Sequence, residues 1–382
     1  MPLFRASATR TRLLLATLAL VSLVVLFTTR VAHKMPDFQV YWTAASRALA
    51  AEPLYRADDG HYQFKYLPAF AVLAAPIALA PLEAAKATWF ALSAFLMLAL
   101  LGLSIRAMPD LRRPAPLLLV LTFLAMAKFY AHELVLGQVN LLFGAIVVLA
   151  VVWLRQGRDA AAGLLFAAAV VVKPYAVIFA PWLATRRNRT AFVSMAAAMI
   201  VLLLLPAVRY GWQGNLHLLA EWWQTVTATT APNLANPDNV SLGAMFTKWL
   251  GPDSPARILA AIAAALLLLL TSIVIAGRGA LKDTDPLEVS ILLLLIPLLS
   301  PQGWDYVFLI ATPAVMLLIN DSASLPREVR IAAIAAIAIV GLTIYDLVGR
   351  DAYAMFMQLS VVTLCVVIEI VALATLRFRR VA

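Results

Sequence analysis

The stretch LLLATLALVSLVVLFTTRVAHKMPDFQVYW, residues 13–42, decides how this chain is read. Its first half is an unbroken apolar run ending at Phe27, preceded by Arg5, Arg10 and Arg12. That is the pattern of a helix lodged in a bilayer with basic residues holding its start. A cleaved signal peptide needs a small-x-small site after the run. VAHKMPDF has none, so the segment reads as a retained first helix over about 13–28. Just beyond it stands a carboxylate, Asp37, among Phe38, Tyr41 and Trp42. A bilayer anchor has no use for an acid there.

The rest of the chain follows the same pattern. It has 382 residues, 63% hydrophobic and 13% charged, with a mean hydropathy of +0.90. No soluble core needs that much apolar surface, whereas repeated runs near the ~20 residues that span a bilayer account for it. The fold class is an all-α polytopic membrane protein. The net charge of +10 would suggest nucleic acid in a soluble protein, but here the basic residues gather at alternate helix ends: Arg112–Arg113, RQGR at 155–158, RRNR at 186–189 and RFRR at 377–380. Positive-inside logic places those ends in the cytoplasm. The chain therefore reads as a multi-pass inner (cytoplasmic) membrane protein with both termini cytoplasmic and no nucleic-acid partner. The single Cys365 lies in the last apolar run, where it reads as a small buried hydrophobe.

About twelve spans of near-bilayer length fit the sequence. They lie at about 13–28, 82–106, 115–131, 139–154, a short pair at 160–173 and 174–185, then 190–208, 256–277, 286–300, 304–320, 330–348 and 353–376. Residues 1–382 form one membrane domain. Within it, 29–81 is an outer loop with surface helices, because YLPAFAVLAAPIALAP is short and proline-rich, and 209–254 is a second outer loop. No sequence repeat relates the two halves.

In this topology the polar residues that are costly in lipid fall at one level, the outer helix ends. They are Asp37; Lys65 and Tyr66; His132 and Glu133; Gln138 and Asn140; Lys173; Asn239; and Trp304 with Asp305. One outward, aromatic-lined cavity would collect them all. In AAAVVVKPYAV, Pro174 cannot continue the helix, so the chain makes a hairpin with the Lys173 ammonium at its tip, suited to an anion such as a lipid phosphate. A lysine snorkelling to headgroups gives the same sequence. GQVN at 137–140 opens a span and offers amides and free backbone N–H groups to an anion or to sugar hydroxyls, or Asn140 simply caps the helix. Asn239 in NVS is a loop residue suited to a sugar contact. Trp304 and Asp305 suit the site, or an interfacial anchor and its solvated neighbour. The four histidines, His33, His61, His132 and His217, show no HExxH or paired spacing, so no metal is expected.

DF-x-x-Y after the first helix, a later LY and KYLP, then GQVN, AGLLFAAAVVVKP, DNVSL and LLSPQGWDY follow one another over roughly residues 37–310. In order and spacing this resembles glycosyltransferase family 87, polytopic GT-C enzymes that include polyprenyl-phosphate-mannose-dependent mannosyltransferases. The resemblance implies a GT-C-like fold, a polyprenyl-phosphate sugar as donor substrate and no other cofactor. It also implies an outward active site, inversion at the anomeric carbon, and a general base in the first outer loop, which maps onto Asp37. Family members often carry histidine just after SP-x-x-W-D, where this chain has Tyr306 and Val307. The residue inventory agrees with one-carboxylate chemistry. A phosphate leaves as an anion and needs no acid, so Asp37 serves as base while Lys173 and Lys65, with Gln138 and Asn140, hold the phosphate. Tyr41, Trp42, Tyr66, His132, Asn239, Trp304 and Asp305 are the expected sugar or acceptor contacts.

The function expected is transfer of a sugar, mannose favoured with arabinose or glucose behind it, to a lipid or glycan acceptor at the outer face. The partners are then membrane lipids, the lipid-linked donor and that acceptor. A transporter or flippase of a lipid-linked glycan is the rival reading; it predicts pseudo-symmetric halves and charges at mid-membrane. A third is an assembly protein without catalytic activity.

Overall fold

The computed structural model describes residues 17, 18, 20–277 and 283–379. Arg5, Arg10, Arg12, Arg380 and most of the run before Leu20 lie outside the described residues. Helices account for nearly all of the architecture; the described residues contain no strand, only an isolated bridge between Asn239 and Trp304.

The first helix, α1 (Leu20–Val31), closes in a π-turn over Phe27–Val31. A tight turn leads into α2 (Pro36–Ala50), and α3 (Pro68–Ala74) continues as a 3₁₀ turn to Leu79 and packs on α2. Next come α4 (Leu82–Ala107), α5 (Ala115–Leu136), α6 (Asn140–Arg155), α7 (Asp159–Val172), α8 (Phe179–Ala184, entered by a 3₁₀ turn from Pro174) and α9 (Thr190–Leu204). At one end of the bundle lie α10 (Ala207–Ala228), α11 (Thr230–Leu234) and α12 (Leu242–Leu250). The bundle is completed by α13 (Ser254–Ala276), α14 (Asp285–Leu299), a 3₁₀ turn at Asp305–Ala311 running into α15 (Thr312–Asp321), α16 (Arg327–Leu342), α17 (Tyr345–Val348), α18 (Arg350–Gln358) and α19 (Val361–Arg379).

Apolar sequence alone does not tell a core helix from a lipid-facing one, and α13 and α14 make the contrast. Every residue of α14 from Asp285 to Leu298 is buried, so it is the axis around which α12, α13, α15 and α19 pack. Its neighbour α13 is as apolar but turns Ile258, Ile262, Leu266 and Leu269 outward, each at least half exposed. A surface like that is stable only against lipid.

The two ends of the bundle differ in chemistry. At one end, arginines satisfy carbonyls and carboxylates left over at helix termini. Arg155 donates to the Ala107 carbonyl (2.7 Å), Arg113 to that of Ile319 (2.9 Å) and Arg379 to that of Ser324 (3.0 Å), while Arg112 pairs with Asp321 (2.8 Å) and Arg186 with Asp285. The opposite end carries the polar cavity.

Five helical stretches among the described residues are long and apolar enough to cross a bilayer: Leu82–Ala107, Ala115–Leu136, Ser254–Ala276, Asp305–Ser324 and Val361–Arg379. A sixth arises if Thr190–Leu204 and Ala207–Leu234, which meet at 90°, are one broken span. The other expected spans are shorter apolar helices. Three expectations shift. The 209–254 stretch is largely helical rather than a loop, because Leu218, Leu219, Trp222 and Val226 give it one apolar face. The 353–376 span begins only at Val361, because Ser360 sits at φ +56° and separates α18 from α19. The 190–208 span ends at Leu204, where the chain turns.

Candidate active site

Asp37 reaches the cavity through an interlocked turn. Met35, fully buried, takes a left-handed conformation (φ 59°), and its N–H donates to the Val135 carbonyl at the end of α5 (3.0 Å). Gly137, which ends α5 at φ +69°, lets the two segments close. A Cβ there would lie 2.7 Å from the Phe38 Cβ and 3.0 Å from the Met35 Cε. Trp89 of α4 seals the junction by donating to the Gly137 carbonyl (3.0 Å) and stacking on Phe38 (5.4 Å). Asp37 therefore sits in the first turn of α2, where a carboxylate also suits the helix dipole. It does not cap the helix: the cap position is Met35 and no side chain closes it.

The cavity, of ≈ 420 Å³, is lined by both halves of the chain. On the Asp37 side, Tyr66 and Tyr41 share a hydrogen bond (2.7 Å), and Tyr41 O–H donates to the Gln138 Oε1 (2.8 Å). That chain fixes the amide so that its N–H₂ faces the Asp37 carboxylate. Burial raises the Asp37 pKa above its usual 3.8; Gln138 pulls it down, as do Lys173, His61 and His132. A carboxylate whose pKa is raised by desolvation is a stronger base than one in water.

Lys173 stands across the cavity. The helix α7 ends at Val172, Lys173 is extended (φ −143°, ψ 109°), and Pro174 opens the 3₁₀ turn. Asn188, beyond α8, hydrogen-bonds Asp159 at the start of α7, so the two limbs return to the same end. The hairpin and its tip lysine are thus as expected. The ammonium is buried (8% exposed), lies 5.5 Å above the Tyr66 ring, and has no carboxylate oxygen within ion-pairing distance among the described residues. Lys65 lines the same cavity; burial lowers its pKa and Asp37 raises it. Its backbone carbonyl is held by the Trp222 indole of α10 (3.2 Å).

The remaining wall joins two sequence motifs some sixty residues apart. Val240 donates to the Gly303 carbonyl (2.7 Å) and Asp305 to that of Asp238 (3.1 Å), around the Asn239–Trp304 bridge. Gly303 is required because a Cβ would stand 2.0 Å from the Pro297 carbonyl oxygen. This places Trp304, Asp305 and Tyr306 on the cavity, with Tyr306 edge-on to His132 (5.7 Å).

The structure brings together Asp37, Lys65, Lys173, Gln138, Tyr41, Tyr66, His132, Trp304 and Asp305. Three expected residues lie elsewhere. Asn140 is fully buried and donates to Glu133 (2.8 Å), whose other oxygen accepts from the Leu141 N–H (2.8 Å). The start of α6 is thus occupied by Glu133, so Asn140 is not a phosphate ligand. Asn239 is also fully buried, donating to the Asn233 and Pro301 carbonyls (2.9 and 2.8 Å) and accepting from Ser241 N–H (3.0 Å). It builds the wall instead of touching a sugar. Trp42 donates to the Ala80 carbonyl (3.1 Å) and packs outside the cavity. Sequence reasoning missed His61, Tyr175, Trp222 and Gln302 as lining residues. Tyr175 was readable, two places after Lys173; the others depend on tertiary folding of the loops.

The family model for glycosyltransferase family 87 matches residues 64–301, more than half of the chain. The chain belongs to glycosyltransferase family 87. The match takes in Lys65, Gln138, Lys173 and the DNVSL motif, and begins after Asp37. No curated protein and no solved structure matches. Membership of family 87 makes the chain a membrane-embedded glycosyltransferase and decides against the transporter class. Within family 87, donor and acceptor must be argued from the cavity.

Proposed function

We propose that this enzyme transfers a sugar, mannose first, from a polyprenyl-phosphate donor to a lipid or glycan acceptor, with inversion, at the outer face of the cytoplasmic membrane. The observation that carries the reading is Lys173: a cation buried in the cavity wall, attracted through space by Glu133 and Asp37 but with no direct carboxylate ion pair among the described residues, across the cavity from Asp37. Burying a cation without a direct ion pair is costly, and an anionic ligand relieves that cost. Asp37 takes the proton of the acceptor hydroxyl as its oxygen bonds to the anomeric carbon. The bond from that carbon to the phosphate oxygen breaks on the opposite face, and the electron pair leaves with the phosphate, where Lys173, assisted by Lys65, stabilises the charge. Trp304 offers an aromatic face to the sugar, and apolar walls beside it suit the first isoprene units.

Twelve passes, with the short pair α7–α8 counted as two, put both termini in the cytoplasm and the cavity outside. The concentration of arginines at the opposite end supports that orientation. The test is incubation of purified enzyme with radiolabelled polyprenyl-phosphate mannose, arabinose or glucose and host membrane lipids. Label should pass to a lipid or glycan from the mannosyl donor first. Label transferred only from a nucleotide sugar would overturn the reading.

A further inference from the structure

The hairpin that carries Lys173 leaves a gap beside its second limb, α8. The polar reach of that limb is spent inward, on α14: the Trp182 indole donates to the Glu288 carboxylate (2.7 Å), and Arg186, lying over the Trp182 ring (5.5 Å), pairs with Asp285. Between α8 and α13 lies a groove of ≈ 540 Å³, with Ile178 and Pro181 on one side, Leu268 and Ile275 on the other, and Leu292 of the buried α14 beneath. Three hydroxyls line it, and each is spent on a carbonyl of its own helix: Thr185 on Trp182 (2.7 Å), Thr271 on Leu267 (2.7 Å) and Ser272 on Leu268 (2.8 Å). None is left to donate to a ligand, so the walls are hydrocarbon in character. The one charge among the described lining residues is Arg187, which is exposed and has no carboxylate oxygen within ion-pairing distance among the described residues. It stands at the arginine-rich end of the bundle, level with the end of α13 at Ala276. From there to Leu268 the groove runs eight residues up α13, ~12 Å at a helical rise, most of one leaflet's share of a ~30 Å hydrocarbon core. Beside it on α13, Leu266 and Leu269 are more than half exposed and face lipid.

We propose that this groove holds an anionic phospholipid of the leaflet at the arginine-rich end, the cytoplasmic leaflet in the orientation proposed above. The phosphate sits at Arg187, and one acyl chain lies between α8 and α13. A hydrocarbon slot closed at its membrane-surface end by a single cation matches an amphiphile with an anionic head, and a zwitterionic head brings its own cation to Arg187 and loses that attraction. The lipid takes no part in transfer. It fills the open side of α8 and so braces the hairpin at the end opposite Lys173, which binds its own anion in the cavity.

The test is photo-crosslinking of the full-length enzyme in nanodiscs with two lipid probes, phosphatidylglycerol and phosphatidylcholine, each carrying a diazirine in one acyl chain. The anionic probe should label residues 178–187 and 268–276 in preference. Arg187→Gln should cut that labelling about 5-fold, the worth of one surface arginine toward anionic lipid, and Arg187→Lys should restore it. Ser272→Phe, at an exposed position of α13, fills the groove while leaving Arg187 in place, and should remove the labelling of 178–187 with the melting temperature held. Lys173→Ala should leave the labelling unchanged, so the groove is read independently of donor binding. Equal labelling by both lipids would overturn the proposal. So would Ser272→Phe labelled like the parent, which would mark a general attraction of the basic end for anionic lipid. Displacement of the probe by equimolar polyprenyl phosphate would also overturn it, giving the groove to the tail of the donor.

Discussion

Replacing Gly137 by alanine perturbs the site without touching any atom of its chemistry. The residue is left-handed (φ +69°), which costs an L-residue roughly 1–2 kcal/mol. Its new Cβ would also stand 2.7 Å from the Phe38 Cβ, and neither atom belongs to a flexible tip that could move aside. Overpacking of this kind costs about 1–3 kcal/mol more. The sum, roughly 2–5 kcal/mol, falls on the contact that holds α2 against the end of α5, between Asp37 and Gln138. Gly157 is the internal control: its φ is +72°, and nothing lies within 4 Å of its ideal Cβ. Gly157→Ala therefore feels the backbone strain alone, at the arginine-rich end. Thermal unfolding of both variants in detergent, with the transfer rate at saturating donor, separates the two effects. Gly137→Ala should melt lower than Gly157→Ala and lose most of its transfer, while Gly157→Ala transfers like the parent. Equal melting and equal transfer by the two would refute the claim that this junction positions Asp37.

Three further outcomes follow from the same geometry. Lys173→Ala should weaken donor binding by about 10- to 150-fold, the worth of a charge-assisted contact of ~1.5–3 kcal/mol, while the protein stays folded; unchanged affinity would return Lys173 to a headgroup-seeking role. The Asp37 pKa is raised, so its basic form, and with it single-turnover transfer, should appear as pH rises through a value above 3.8; Lys173→Gln removes a cation that lowers this pKa and should move the limb higher still, whereas a shift downward contradicts the arrangement. For topology, Asp58→Cys in a Cys365→Ser background should react with an impermeant thiol reagent in intact cells, and labelling only after permeabilisation would invert the orientation.

The bundle was legible where local chemistry is decisive. The break at Lys173–Pro174 needs only the missing proline N–H, and the short runs on either side predict a returning hairpin. The arginine clusters predict which helix ends lie together, and the structure gathers those described at one end. Less legible was anything that depends on a partner distant in sequence. Asn239 reads as an exposed loop residue until Pro301 and Trp304 are brought against it. Asn140 reads as a ligand at an open helix start until Glu133, seven residues earlier, reaches round to fill that start. The helix at 207–228 is hidden differently: its apolar face is clear, but next to a bilayer run a stretch too polar to cross reads as a loop. The lipid-facing α13 and the central α14 have nearly the same composition, so burial had to come from the fold.

The most direct measurement on the central claim is transfer by Asp37→Asn, made alongside donor binding and thermal unfolding. Asparagine fits the same space and can still meet Gln138, so folding and donor affinity should match the parent. It cannot accept the proton of an attacking hydroxyl, and loss of a general base slows transfer by about 10²–10⁴-fold. Asp37→Asn should therefore bind the polyprenyl-phosphate sugar normally and transfer almost none of it; transfer near the parent's rate would contradict the assignment of Asp37 as the base.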